Sequence, residues 1–249
     1  MSGSLVIAGL GPGDEALVTP EVSQVLAEAT DIVGYTPYVE RVPARDGLAR
    51  HSSDNRQEIE RAAHALEMAA AGRKVVVVSS GDPGVFAMAA AIFEALESGD
   101  SAWRQLDIRV LPGISAMLAA SARVGAPLGH DFCCINLSDN LKPWPLIEKR
   151  LRLAAEADFA MAFYNPRSKA RPEGFAKALN SLRDACGPER VIVFARAVST
   201  PEASVRVTTL GDAQPEMADM RTLVIVGSSL TRVIERDGEP FVYTPRSAP

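Results

Sequence analysis

Four consecutive valines at residues 75–78, inside the run Lys74-Val75-Val76-Val77-Val78-Ser79-Ser80, constrain this chain more than any other feature. Valine branches at Cβ and favours extended backbone, and a run without alternating polar residues has no face to turn to water. A strand of this kind must be covered on both sides. The flanking sequence supplies the cover: residues 56–71 have helical spacing and stop at Gly72, and residues 85–97 read as a helix ended near Gly99. Upstream, residues 5–8 form a short apolar strand that runs into the turn Gly9-Leu10-Gly11-Pro12-Gly13-Asp14. Thr19 as N-cap, Pro20 at the first helical position and Glu21 in the first turn start a helix reaching about residue 29, and a strand follows at 31–34. With a further strand at 107–111, the alternation predicts an α/β fold whose first sheet is parallel and built from right-handed crossovers.

Pro112-Gly113 and then Ser115 open another helix, which ends near Gly125 and Pro127. The change of domain belongs about here, and the domains are taken as residues 1–114 and 115–249. In the second, apolar runs at 133–137, 159–164, 191–195, 205–209 and 222–226 are strands, with helices at 146–156 and 175–185. Strands that follow one another near the C-terminus, after a helix-separated start, predict a mixed sheet. With 249 residues, 47% of them hydrophobic, the chain can bury a substantial core.

A formal net charge of −5 leaves no broad basic face for nucleic acid, although a local cationic patch for a small polyanion fits on an acidic protein. Cys133, Cys134 and Cys186 form no CxxC pair and are too few to hold an iron–sulfur cluster; the vicinal pair lies in an apolar run and reads as core filler. His51, His64 and His130 lack metal-ligand spacing, so no metal is expected. The first ten residues have no basic segment, and the apolar run at 5–10 is far shorter than a membrane span. A cytoplasmic protein with no membrane partner is expected.

Glycines at a strand-to-helix turn invite a nucleotide reading, yet two familiar versions fail. A P-loop needs Gly-Lys-Ser/Thr, whereas Asp14 and Glu15 follow Gly13 and would repel phosphate. A dinucleotide fingerprint needs a later third glycine and an acid at the end of the second strand, where Asp31 stands at the start. The second loop, Ser80-Gly81-Asp82-Pro83-Gly84, follows the valine strand, and strand ends of this kind are where open α/β sheets bind ligands. Asp82 suits a cationic ligand or a ribose hydroxyl, or else caps a helix beginning near Val85. Pro112-Gly113-Ile114-Ser115-Ala116 forms a third loop on the same sheet edge. After a strand in the second half, Tyr164-Asn165-Pro166-Arg167-Ser168-Lys169-Ala170-Arg171 carries three cations, suited to carboxylates or phosphates, or merely a solvated loop.

Together and in this order, Gly9-Leu10-Gly11-Pro12-Gly13-Asp14, Gly81-Asp82-Pro83 with Val85-Phe86, and Pro112-Gly113-Ile114-Ser115-Ala116 resemble the tetrapyrrole methylase family across nearly the whole chain. These are the class III methyltransferases that depend on S-adenosylmethionine (SAM). Ser79 to Gly84, Leu137-Ser138-Asp139 with Pro143-Trp144, and Tyr164 to Lys169 are similar to the members acting at C17 of a corrin precursor. The resemblance implies two α/β domains with SAM in the cleft between them, and a homodimer. It implies methylation of precorrin-3B at C17 with contraction of the ring to precorrin-4, in cobalamin biosynthesis. It also implies that Pro12, Ser80, Gly81, Asp82, Val85, Ser115 and Ala116 line the SAM pocket from the first domain, and Asn165 and Ala197 from the second. Many relatives carry methionine in place of Asn165 and glycine in place of Ala197.

Methyl transfer from a sulfonium requires positioning more than a protein nucleophile, while ring contraction needs proton transfers. Asp14 and His130, each following a loop expected near the cleft, are candidates for these, or else a turn former and a hinge residue. The tetrapyrrole is a polyanion, so Tyr164, Arg167 and Lys169 are assigned to it, with Arg41, Arg45 and Lys142 as weaker cationic candidates. The competing activities are methylation at C11, at C20, of uroporphyrinogen III or of a cobalt-loaded substrate. A nucleotide-binding module without chemistry is the alternative of a different class.

Overall fold

The computed structural model describes residues 3–54 and 57–247. The chain forms two compact units, Met1–Ser115 and Ala116–Pro249. The first contains, in order, β1 (Ser4–Gly9), α1 (Pro20–Glu28), β2 (Asp31–Tyr35), α2 (Thr36–Val39), β3 (Ala49–Ser53), α3 (Glu58–Ala70), β4 (Lys74–Ser79), α4 (Met88–Ser98) and β5 (Asp107–Leu111). Its sheet has the order β3-β2-β4-β1-β5 with every pairing parallel.

The valine strand β4 is central, as its composition demands. Val75 and Val77 pack with Leu5, Ile7, Leu66 and Ile92 on the face covered by α3 and α4. Val76 and Val78 pack with Val6, Ala8, Val22 and Ile32 on the face covered by α1. All four are buried, and a fully buried valine contributes about 1.5–3 kcal/mol. At the start of β2, Asp31 is fully buried and engaged by Arg73 Nη2 at 2.6 Å and His51 Nε2 at 2.7 Å. A carboxylate so occupied braces the sheet and is unavailable to a ribose.

The second unit runs α5 (Ala116–Val124), β6 (Gly125–Ala126), β7 (Phe132–Asn136), α6 (Trp144–Glu156), β8 (Ala160–Tyr164), α7 (Gly174–Cys186), β9 (Val191–Arg196), β10 (Ser204–Thr209), β11 (Thr222–Val226), β12 (Arg232–Ile234) and β13 (Phe241–Tyr243). Its main sheet, β10-β9-β11-β8-β7, is mixed: β7 and β8 are parallel and the remaining pairs antiparallel. Phe163, Phe175 and Phe194 anchor its core beneath α6 and α7. β12, β13 and β6 make a small separate sheet.

Three expectations need correction. The edge strand β3 is an addition to the expected elements: Ala-Arg-His-Ser-Ser lacks an apolar run, and its alternate residues are exposed. The helix after β4 begins at Met88, not residue 85, because residues 82–87 are used in a turn in which Phe86 takes a left-handed φ of 53°. The helix expected from residue 56 begins at Glu58 among the described residues; residue 56 itself lies outside them. Among the described residues, no helix is long and apolar enough to cross a membrane, and no group of three or more His, Cys, Asp or Glu could hold a metal ion.

Candidate functional site

β4, β1 and β5 are parallel neighbours, so the three glycine-bearing loops leave the sheet at one edge. Their main chains touch. The Leu10 N–H donates to Ser79 O at 2.8 Å, Gly81 N–H to Gly11 O at 2.9 Å, and Gly11 N–H to Gly81 O at 3.2 Å. A Cβ on Gly9 would lie 2.6 Å from Gly81 O and 2.7 Å from Gly113 N, and one on Gly113 would strike the same backbone. Glycine is needed at these points for loop-on-loop packing, rather than for gripping a phosphate.

Asp82 does not cap α4, whose N-cap Ala87 makes no side-chain bond. Its Oδ1 instead accepts the Gly84 N–H at 2.8 Å and its Oδ2 the Gly113 N–H at 3.1 Å, tying the second loop to the third. Each oxygen keeps lone-pair capacity for a further donor.

Arg41 and Arg45, weaker substrate candidates by sequence, are committed elsewhere. Arg41 donates to Leu10 O at 2.5 Å, Gly11 O at 3.1 Å and Gly13 O at 3.2 Å, so one guanidinium clamps the first glycine turn from behind. Burial holds its pKa below the usual arginine value. Arg45 donates to Leu26 O and Ala29 O, at 3.1 and 2.6 Å, where α1 ends. Nothing in the sequence signalled the clamp, because it joins residues about thirty positions apart through main-chain oxygens.

Of the other first-domain candidates, Pro12, Ser80 and Val85 are half-buried on these loops and Gly81 is buried with a left-handed φ of 64°. Ser115 is 3% exposed and its hydroxyl has no hydrogen-bond partner. A buried orphaned hydroxyl at the end of a ligand-type loop fits a small polar ligand such as SAM, which would satisfy it. Ala116 opens α5. Asp14 is exposed and its carboxylate accepts the Ala16 N–H at 2.9 Å, capping the 3-10 turn Glu15–Leu17.

In the second unit, the parallel ends of β7 and β8 are linked by Asn165 Nδ2, which donates to Asn136 Oδ1 at 3.1 Å. Asn165 and Ala197 both hold left-handed φ, 52° and 48°. Asparagine adopts that region readily; alanine pays about 1–2 kcal/mol. Tyr164 OH accepts the Met117 N–H at 3.1 Å. Beyond it, Arg167 is half-buried, 3.9 Å from Glu216, and Lys169 is exposed. Lys142 Nζ donates to Ser138 O at 3.0 Å. His130 is half-buried with Nδ1 3.9 Å from Asp131. Burial pushes the Cys133 and Cys186 thiols up and the Cys134 thiol to about 12, so none is a thiolate near neutral pH.

The chain matches the model of the tetrapyrrole (corrin/porphyrin) methylases over residues 4–214 and belongs to that family. It is 51% identical over 247 residues to Precorrin-3B C(17)-methyltransferase of a Sinorhizobium species, covering 99% of this chain and 97% of that relative. It is 46% identical to Cobalamin biosynthesis protein CobIJ of Mycobacterium tuberculosis, over 100% of this chain and 49% of that longer protein. The crystal structure of the methyltransferase CobJ superposes with a TM-score of 0.94 at 65% identity, covering 98% of this chain and 100% of that one.

Proposed function

We propose that this chain is a SAM-dependent methyltransferase that methylates precorrin-3B at C17, with contraction of the macrocycle to precorrin-4, in cobalamin biosynthesis. The observation that carries this reading is the 51% identity sustained over 97% of a relative named Precorrin-3B C(17)-methyltransferase. When bound, SAM supplies a methyl group on a positively charged sulfur.

The residues of the chain then hold and orient. The Ser115 hydroxyl, the unused lone pairs of Asp82 and the backbone at Gly81 are assigned to SAM, with Pro12, Ser80, Val85, Ala116, Asn165 and Ala197 completing its contacts. Orientation of this kind lowers the barrier without a protein nucleophile, in keeping with the protonated thiols. Tyr164, Arg167 and Lys169 are assigned to the tetrapyrrole. Asp14 and His130 are assigned to the proton transfers of contraction, Asp14 being exposed and His130 half-buried. The active form is proposed to be a cytoplasmic homodimer, which sedimentation of the purified chain tests. Incubation with SAM and precorrin-3B should release S-adenosylhomocysteine (SAH); binding of SAM without release would mark a module that does no chemistry.

A further inference from the structure

The half-buried arginines of the second domain fall into two groups. Arg183, Arg190 and Arg196 each place a nitrogen against an oxygen at short range: Leu210 O at 2.7 Å, Asp158 Oδ1 at 2.7 Å and Asp219 Oδ2 at 2.8 Å. These fix the fold. Arg171 differs. Its side chain is only 15% exposed, yet among the described residues the hydrogen bond and ion pair of its guanidinium are both long, to Met220 Sδ at 3.8 Å and to Asp139 Oδ1 at 3.9 Å. A guanidinium has five N–H donors, and those of Arg171 make no short hydrogen bond to an oxygen among the described residues, which leaves them open to a further acceptor. Arg167, on the same loop, repeats the pattern: its Nε is buried without a partner and its nearest acid, Glu216, is 3.9 Å away. Two poorly satisfied arginines four residues apart, in a domain whose other half-buried arginines are well paired, suit an anion that arrives from outside.

The surroundings define the anion's chemistry. Lys142 is bound to Ser138 O at 3.0 Å, on the loop that also carries Asp139. Burial, with the charges of Arg150 and Arg171, holds its ammonium below the usual lysine range, while the charge of Asp139 opposes this. Beside them stand two apolar side chains turned to solvent, Leu141 at 92% exposure and Met220 at 47%. Cations interleaved with exposed apolar groups match a ligand that is itself amphipathic, an apolar ring edge bearing carboxylates.

We infer that Arg171, and not Lys169, is the principal carboxylate-binding residue of this loop, with Lys142 as the second cation and Leu141 and Met220 as the apolar flank for the macrocycle. This rests on the tetrapyrrole reading above and moves its main contact from an exposed, flexible lysine to a preset guanidinium, which loses less freedom on binding.

The test uses the full chain. Initial rates with precorrin-3B varied at saturating SAM, and calorimetric titration with SAH, are compared for the wild type, Arg171→Gln, Arg171→Lys and Lys169→Gln. Arg171→Gln should raise the KM for precorrin-3B at least about tenfold and make it less sensitive to salt, with SAH affinity within about twofold of wild type. Arg171→Lys should fall between, and Lys169→Gln, at an exposed contact, should raise KM by less than about fivefold and by less than Arg171→Gln does. An unchanged KM in Arg171→Gln, a larger effect from Lys169→Gln, or loss of the fold in both Arg171 variants by circular dichroism would overturn the assignment. A wild type that binds SAH but fails to turn over precorrin-3B defeats the substrate reading itself, and this inference with it.

Discussion

At the scale of single residues, the candidate site depends on side chains that grip main chain. Asp82 accepts an N–H on each carboxylate oxygen, from Gly84 and Gly113. Asparagine offers one acceptor there, and its amide NH2 must face the other N–H. Losing a charge-assisted bond and leaving a donor unmet costs about 1.5–3 kcal/mol. Asp82→Asn should therefore melt at lower temperature and bind SAH about tenfold more weakly by calorimetry. SAH affinity equal to wild type would leave Asp82 outside cofactor binding. Arg41 acts on the first loop through three carbonyls, so Arg41→Met should raise the KM for SAM by about tenfold while moving the KM for tetrapyrrole by less than about twofold. The reverse pattern would return Arg41 to the substrate.

Among elements, the strand-end loops are the unit that matters, because their glycines pack against one another. A methyl group on Gly113 would strike Gly81 O and the backbone of Gly9. Gly113→Ala should force the loops apart and weaken SAH binding by more than about tenfold, with far-UV circular dichroism retained. Normal SAH affinity in that variant would show that loop packing is not tied to the site. The valine run at residues 75–78 made the parallel sheet legible in the sequence, and Thr19 with Pro20 marked the start of α1. The loops could be placed at one edge because parallel strands put all their C-terminal ends together. What held the loops was not legible, since the Asp82 and Arg41 contacts join positions about thirty residues apart and have no periodicity. Edge strand β3 was missed for a related reason: its polar composition reflects half-exposure rather than a hydrophobic pattern. In the second domain the cationic loop was visible as composition, but which of its cations is preset and which is solvated depends on burial.

For the whole molecule, three aspartates link stability to acid. Burial alone would raise the Asp31 carboxyl, but hydrogen bonds from His51, Thr30 and Arg73 outweigh it and hold the pKa below the ordinary value. Asp158, against Ser229 and Arg190, and Asp219, against Arg196 and Thr222, follow the same balance. A carboxyl lowered on folding stabilises fully above its unfolded value of about 3.9, and that contribution is lost as the pH falls from there through the folded value. Stability by denaturant titration should fall steeply below about pH 4, and Asp31→Asn should flatten the fall while costing roughly 3 kcal/mol at neutral pH. An unaltered acid slope would mean that Asp31 does not titrate with unfolding. Methylation at C17 is tested by mass spectrometry and NMR of the product formed from SAM and precorrin-3B. The product should be heavier by one methylene unit, with the new methyl on C17 and the ring contracted. An unmodified precorrin-3B, a methyl on another carbon, or turnover confined to a cobalt-loaded substrate would contradict it.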